Sequence, residues 1–166
     1  LAKSDVAPAV VMKLSDMLDY ILYQCNEPTV TMQQEIDLIQ SYIDLEKLRH
    51  GARLQVTFQS ELDNPSTPIA PLILLSLVEN AFKHGIDHRI QSPHIDIQLR
   101  VWGERLEMTL INTKVPTQLM PRGVTTDRGI GKINLQRQLT LNYYKRHHLT
   151  IEDTDTTCRV ALTIEL

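Results

Sequence analysis

Apolar residues recur every three or four positions through the first fifty residues, which predicts two consecutive α-helices. The first is expected from about Asp5 to Cys25, and its seam of apolar residues consists of Val11, Leu14, Leu18, Ile21 and Cys25. The second is expected from Thr31, which can form a capping box with Gln34, to about Arg49. Its seam repeats the same spacing at Met32, Ile36, Ile39 and Ile43. Such a hairpin can pair with a second copy or pack on its own domain, and the spacing favours pairing.

After residue 53 the apolar period changes to two, which predicts half-buried β-strands. The predicted strands cover residues 54–58, 95–101, 106–110, 148–152 and 158–164. One helix is expected from about Pro71 to His84, with Gly85 as its C-cap, and another from about Ile133 to Tyr144. Residues 113–128 have no periodicity, which predicts a long, mobile loop. Together these segments predict an α+β domain, a mostly antiparallel sheet with helices on one face, preceded by a helical hairpin.

The helix from Pro71 to His84 has one apolar face and one face of chemically diverse polar residues. The polar face carries Ser76, Glu79, Asn80, Lys83 and His84. Because Asn80, Lys83 and His84 follow the i, i+3, i+4 spacing, their side chains can converge on one ligand. An asparagine oxygen suits a divalent cation, and a lysine suits phosphate. The alternative is an ordinary amphipathic helix whose polar face meets water, and the helix alone leaves both interpretations open.

Two further features indicate a similar ligand. Asn112 continues the inward phase of the strand 106–110, where an unpaired polar group costs about 1–3 kcal/mol. Its amide suits the edge of a nucleobase, unless the strand has ended and Asn112 caps a turn. Gly129 and Gly131 precede the helix that contains Asn134, and backbone amides at such a position can surround an anion. Most such glycine pairs are ordinary turns, so the value of this one lies in its position after a loop long enough to form a lid.

Composition and charge exclude several classes of function. The net charge of −3 argues against general nucleic-acid binding. No apolar run has the length of a membrane span, and we expect no signal peptide in these residues. Cys25 and Cys158 lack the spacing of metal ligands, which is typical of a protein in a reducing cytosol. The chain enters a helical pattern soon after Leu1, so we expect a fragment of a longer protein, and any membrane segment of that parent would lie outside it.

In this order, the motifs resemble those of the LytS/YehU-type sensor histidine kinases, whose ATP-binding domain belongs to the gyrase–Hsp90–histidine kinase–MutL (GHKL) superfamily. Residues 77–85 (LVENAFKHG) resemble the N box of that family, and residues 128–135 (RGIGKINL) resemble its G box. Residues 14–20 and 46–51 resemble the helical segments that the family carries ahead of the ATP-binding domain. The resemblance implies the Bergerat fold, a two-layer α/β sandwich with a mixed, mostly antiparallel sheet.

The resemblance also implies a domain division and a reaction. Residues 1–50 would be a partial dimerisation and phosphotransfer region, and residues 51–166 would be the ATP-binding catalytic domain. The reaction would use ATP and Mg²⁺ to phosphorylate a histidine, from which the phosphoryl group passes to the receiver domain of a response regulator. The parent would be an inner-membrane protein, with this fragment in the cytoplasm as a homodimer that contacts neither membrane nor nucleic acid.

Roles for individual residues follow from the same resemblance. Asn80 would coordinate the Mg²⁺ ion that bridges the phosphates, Lys83 and His84 would lie near the phosphates, and Asn112 would contact adenine. The other residues expected to bind nucleotide are Gly129, Ile130, Gly131 and Asn134, where the glycines would supply the hinge of the lid and amides for the phosphates. Glu79 would be a second catalytic residue that tunes the acceptor imidazole or orients a water ligand.

The chain departs from the family pattern in two places. The phosphoacceptor motif His-Phe-Leu-Phe-Asn is absent and would be expected just upstream of Leu1, so we expect that this fragment cannot phosphorylate itself. In the adenine-binding Asp-x-Gly-x-Gly box, Asn112 stands in place of the aspartate and no glycine follows it over residues 113–116. A neutral amide loses the charge assistance of a carboxylate, so we expect weak ATP binding with base selectivity retained.

Two other functions compete with the kinase. One is a non-catalytic dimerisation and scaffold module whose ATP site is degenerate. The other is an ATP hydrolase of the gyrase type, which carries a water-activating glutamate one turn before the Mg²⁺ asparagine. Ser76 occupies that position here and cannot act as a carboxylate base, which favours phosphotransfer over hydrolysis.

Overall fold

The computed structural model describes residues 6–23, 26–116 and 130–166, and the statements that follow concern these residues. The helices are α1 (Val6–Tyr23), α2 (Met32–His50), α3 (Ile73–Gly85) and α4 (Ile130–Asn142), with a short 3₁₀ turn at Gly51–Arg53. The strands are β1 (Val30–Thr31), β2 (Gln55–Leu62), β3 (Pro68–Ile69), β4 (His94–Trp102), β5 (Arg105–Thr113), β6 (His147–Asp153) and β7 (Thr157–Glu165). No helix in this part of the chain is long and apolar enough to cross a membrane.

Five strands form one sheet in the order β2-β4-β5-β7-β6. β2 and β4 are parallel, whereas the other three neighbouring pairs are antiparallel. The predicted α+β fold with a mixed, mostly antiparallel sheet is therefore confirmed. The sequence pattern did not predict the small antiparallel sheet of β1 and β3, because two-residue strands are too short to show a period.

The helices form the second layer of the sandwich. α3 packs on β4 and β5, α2 and α4 contact α3, and α1 packs against α2. The apolar face of α3 is buried as predicted, with Leu74, Leu77, Val78, Ala81 and Phe82 all in the core. The inward residues of β4 and β5 are also those that the alternation predicted: Ile95, Ile97, Leu99, Val101, Leu106, Met108 and Leu110. The core thus places α3 directly over the centre of the sheet.

The two helices of the hairpin are buried to different extents. The capping box of Thr31 and Gln34 is present, and the seam of α2 is buried in its own domain at Met32, Ile36, Ile39 and Ile43. The seam of α2 thus packs on its own domain, whereas the pairing of the hairpin with a second copy stays a prediction. The seam of α1 faces solvent, with Val11, Leu14, Leu18 and Ile21 between 65% and 36% exposed. Met17 and Tyr20 are buried instead, and Cys25 lies outside the described residues.

The predicted G box begins differently from the expectation. α4 starts at Ile130, so Ile130 and Gly131 belong to its first turn instead of preceding it. The sequence pattern missed this first turn because a single turn is too short to show the 3.6-residue period of a helix. Gly129 and most of the predicted loop lie outside the described residues.

Candidate functional site

A cavity of about 330 Å³ opens where the last turns of α3 meet the ends of β5, β6 and β7. Its walls include four of the residues predicted to bind nucleotide: Asn80, Lys83, His84 and Asn112. Glu79 and Asn134 are exposed and are not among the described residues that line it. The structure therefore brings the N-box residues of α3 and the polar end of β5 to one concave surface.

The side-chain amide of Asn80 is oriented by its own helix. Its Nδ2 donates a hydrogen bond of 2.7 Å to the backbone oxygen of Ser76, one turn earlier. Because a carbonyl oxygen can only accept, the nitrogen must be the atom on this side, and Oδ1 points elsewhere as an acceptor. An amide oxygen held in this way on a half-buried residue is a suitable ligand for Mg²⁺.

Asn112 is held by the same kind of bond at the other side of the cavity. It is 3% exposed, and its Nδ2 donates a hydrogen bond of 2.7 Å to the backbone oxygen of Thr113. β5 continues to Thr113 and pairs Asn112 with Cys158 of β7, so the alternative in which the strand has ended before Asn112 is wrong. Oδ1 is again the atom left to accept a bond, as an exocyclic amino group of a nucleobase would require.

Gly85 has a different role from the predicted C-cap. It is the last residue of α3, and Ile86 follows as the capping residue. A β-carbon at position 85 would lie 2.9 Å from Cβ and 3.2 Å from Nδ2 of Asn112. Glycine is therefore required by the close approach of the helix to β5, which sets the position of Asn112 in the cavity wall.

Three cationic side chains line the cavity. Lys114 Nζ lies 3.1 Å from Asp153 Oδ1, and its side chain is only 10% exposed. Arg89 lies 2.7 Å from Asp87, and its hydrogen bonds hold the pKa of that carboxyl well below the ordinary value. Lys83 is exposed and makes no ion pair with another described residue. Lys83 follows Asn80 by three residues on α3, so an exposed ammonium and an amide oxygen lie on one side of this helix and could meet a phosphate together with its metal ion.

Sequence reasoning missed the contributions of Lys114, Asp153, Asp87 and Arg89. A signal was available for Lys114, because it occupies the position of the first glycine in the adenine-binding box. The other three residues reach the cavity only through the pairing of β6 with β7 and through the turn after α3. Neither arrangement has a local sequence signature.

Glu79 lies on the side of α3 that faces α2. Burial raises the pKa of Tyr42 on α2, and the charges of Glu46 and Glu79 raise it further. The Tyr42 ring makes an edge-to-face contact with Phe82, with 5.3 Å between ring centres. Partial desolvation also raises the pKa of Glu79 itself. Its catalytic role stays a prediction.

The fold is that of histidine kinase catalytic domains. The nucleotide-free catalytic domain of the histidine kinase ThkA superposes with a TM-score of 0.54 at 14% identity, covering 82% of this chain and 93% of that chain. The histidine kinase domain of a blue-light-activated histidine kinase from Erythrobacter litoralis superposes with a TM-score of 0.60 at 15% identity, covering 95% of this chain and 73% of that chain. A family model described as histidine kinase matches residues 1–54.

Relatives in sequence include LytS proteins. Sensor protein LytS of Staphylococcus epidermidis is 28% identical over 145 residues, which cover 82% of this chain. Sensor protein LytS of Enterococcus faecalis is 26% identical over 161 residues, which cover 92% of this chain. The resemblance to LytS-type sensor histidine kinases is therefore confirmed. The matched regions are 24% and 27% of those relatives, so the chain spans about a quarter of their length.

The contact at Gly85 generates the first prediction. A glycine-to-alanine change inside a helix ordinarily stabilises a protein by about 0.5–1 kcal/mol. Here the added methyl group meets Asn112 at 2.9 Å, so we expect Gly85→Ala to lower the free energy of unfolding by about 1–3 kcal/mol, measured by urea denaturation.

The double variant Gly85→Ala/Asn112→Gly supplies the control for this prediction. Removing the side chain of Asn112 takes away the atoms that the methyl group would meet, so the two changes should be less destabilising together than their sum. A stabilising Gly85→Ala, or strictly additive effects, would contradict the close approach.

Proposed function

We propose that this chain is the ATP-binding catalytic fragment of a sensor histidine kinase, which transfers the γ-phosphoryl group of ATP to a histidine outside these 166 residues. The observation that carries the proposal is the pair of asparagines in one cavity, each with its nitrogen bonded to a main-chain carbonyl and its oxygen left as an acceptor. One oxygen suits a metal ion and the other suits a base amino group. A magnesium nucleotide presents both.

The residues of this chain would contribute mainly position and charge, as phosphoryl transfer generally requires. Asn80 would hold the Mg²⁺ ion together with the phosphate oxygens, because Mg²⁺ usually takes only one or two protein ligands. Lys83 and His84, one turn further along α3, would lie beside the phosphates. Asn112 would select adenine, and the segment around Gly129, Ile130, Gly131 and Asn134 would cover the phosphates. When bound, Mg²⁺ neutralises part of the phosphate charge.

The partners and the parent protein are proposed by analogy with the LytS relatives. The partners would be the receiver domain of a response regulator and a second copy of this chain. The exposed seam of α1, which includes Leu14 and Leu18, supports a homodimer through residues 1–50, with ATP binding assigned to 51–166. The concentration dependence of the mass measured by light scattering tests the dimer. The parent would be an inner-membrane protein with this region in the cytoplasm.

The alternative is a dimerisation and scaffold module with a degenerate ATP site. A fluorescent ATP analogue titrated with and without Mg²⁺ separates the two functions. Saturable binding that depends on Mg²⁺ supports the kinase fragment, whereas the absence of binding at millimolar nucleotide supports the scaffold. The orientation of both asparagines favours the kinase, because a site without a ligand has no need of two aligned acceptors.

We expect Asn80→Ala to remove the increase in ATP affinity that Mg²⁺ produces. A hydrogen bond or ligand bond involving a charged group contributes about 1.5–3 kcal/mol, which corresponds to roughly a 10- to 100-fold loss of affinity in Mg²⁺. Asn142→Ala is the matched control, because Asn142 also donates from Nδ2 to the carbonyl four residues earlier, on α4, but does not line the cavity. Unchanged Mg²⁺ dependence in Asn80→Ala would exclude Asn80 as the metal ligand.

Asn112→Ala tests the adenine contact. Loss of a neutral hydrogen bond of about 0.5–1.5 kcal/mol predicts roughly a 2- to 10-fold weaker affinity for ATP in calorimetry. GTP presents an acceptor where ATP presents an amino group, so its affinity should change little. Equal weakening of both nucleotides would indicate a damaged fold, and unchanged ATP affinity would show that Asn112 does not contact the base.

Incubation of the chain with radiolabelled ATP and Mg²⁺ should produce no acid-labile phosphohistidine, because the phosphoacceptor motif is absent from its sequence. A histidine kinase that carries the motif provides the positive control under the same conditions. Phosphohistidine on the chain itself would mean that one of its six histidines is an acceptor.

A further inference from the structure

We propose that Glu35 is a positioning residue that couples the placement of α1 to that of α3, the helix that carries the candidate ligands Asn80, Lys83 and His84. The significance of this coupling for nucleotide binding depends on the proposed function. The coupling itself depends only on the contacts of Glu35.

Glu35 joins three helices at a point that water does not reach. Its side chain projects from the first turn of α2, and the residue is 0% exposed. Its Oε1 accepts a hydrogen bond of 2.9 Å from the hydroxyl of Tyr20 on α1 and one of 2.7 Å from the amide of Leu72. Leu72 is the N-cap of α3, so one oxygen atom connects α1 to the beginning of α3.

The N-terminus of α3 relies on this carboxyl group because it has no side-chain cap of its own. Leu72 has φ 65°, a left-handed conformation that is strained for a residue with a β-carbon and persists only where neighbouring groups hold it. The Leu72 carbonyl in turn accepts hydrogen bonds from the amide and the hydroxyl of Ser76. Glu35 therefore occupies the place that an N-cap side chain would normally take.

The environment of Glu35 explains why the contacts should be sensitive to small displacements. Burial raises the pKa of this carboxyl, and the amides of Leu72, Leu74 and Leu75 together with the Tyr20 hydroxyl oppose that rise. Oε2 has no hydrogen-bond partner among the described residues. A buried polar group that loses one of its few partners is destabilised more than an exposed one, because water cannot replace that partner.

The position of α1 depends on few buried contacts. Among its described side chains only Met17 and Tyr20 are buried, and Lys13 makes a half-exposed ion pair of 2.7 Å with Asp44 on α2. A shift of α1 would therefore act on Tyr20 and through it on Glu35. α3 is a continuous helix of 13 residues, so a displacement at Leu72 reaches Asn80 two turns later.

Tyr20→Phe tests the coupling without disturbing the packing of the ring, whereas Glu35→Leu would risk the fold. Amide exchange by NMR, without nucleotide, should be about threefold or more faster at Leu72 and through the first turn of α3. The affinity for Mg²⁺-ATP should fall by a similar factor. Lys13→Met is the matched control, because it breaks another contact between α1 and α2 that does not involve Glu35, and it should change neither measurement.

Faster exchange in Tyr20→Phe alone supports the coupling. Unchanged exchange in Tyr20→Phe overturns it, and so does an equal increase in Lys13→Met, which would mean that any loosening of α1 has the same effect. If the unaltered chain binds no Mg²⁺-ATP, the proposed function fails, while the exchange measurements still decide whether Glu35 couples the two helices. Faster exchange with unchanged nucleotide affinity would overturn the role of Glu35 in positioning the site.

Discussion

The close approach of α3 to β5 at Gly85 is the contact on which the candidate site depends. A side chain at this position would meet Asn112, and the helix would have to move away from the sheet. Because position 85 has none, the last turns of α3 lie against the polar end of β5, and Asn80 and Asn112 face the same cavity. The burial of the apolar face of α3 supplies the driving force for this packing, and Gly85 sets how closely α3 can approach β5.

The two asparagines share a further property that follows from folding. In each, the side-chain nitrogen donates a hydrogen bond to a nearby main-chain carbonyl, so the direction of the side-chain oxygen is fixed without a ligand. A site whose acceptors are already oriented loses less side-chain entropy on binding than one whose amides rotate freely. At the other end of α3, Glu35 accepts a hydrogen bond from Leu72, and in our proposal this bond positions the first turn of the helix. At its N-terminus α3 contacts the carboxyl group of Glu35, and at its C-terminus Gly85 allows it to approach β5 closely.

Local periodicity was sufficient to predict the apolar face of α3, the inward residues of β4 and β5 and the inward direction of Asn112. These features depend on near neighbours in the chain, as do the capping box of Thr31 and the N box. The parallel pairing of β2 with β4, the role of Gly85 and the burial of Glu35 depend on tertiary packing instead. In the sequence Glu35 is an ordinary acidic residue in the first turn of a helix. Its hydrogen bonds from Tyr20 and Leu72 form only when α1 and α3 pack against α2. The heptad spacing was equally uninformative about which seam would be buried, since α1 and α2 carry the same one.

The asparagine at position 112 fits the geometry of the strand end because its side-chain nitrogen can donate to the carbonyl next to it. The Asp-x-Gly-x-Gly box that residues 112–116 resemble has an aspartate at this position. The replacement of that aspartate by asparagine is one reason to expect a degenerate site. The backbone oxygen of Thr113 lies 2.7 Å from the side-chain nitrogen, however, and a carboxylate oxygen at that distance would face another acceptor. The strand end therefore suits a side chain that donates toward Thr113, and asparagine provides this donor while its oxygen stays able to accept. Lys114, in place of the first glycine, directs its ammonium to Asp153 at the cavity wall, so its charge is balanced within the site. The residues at positions 112 and 114 therefore fit the local geometry together, since each has a hydrogen-bonding or charged partner at the cavity wall.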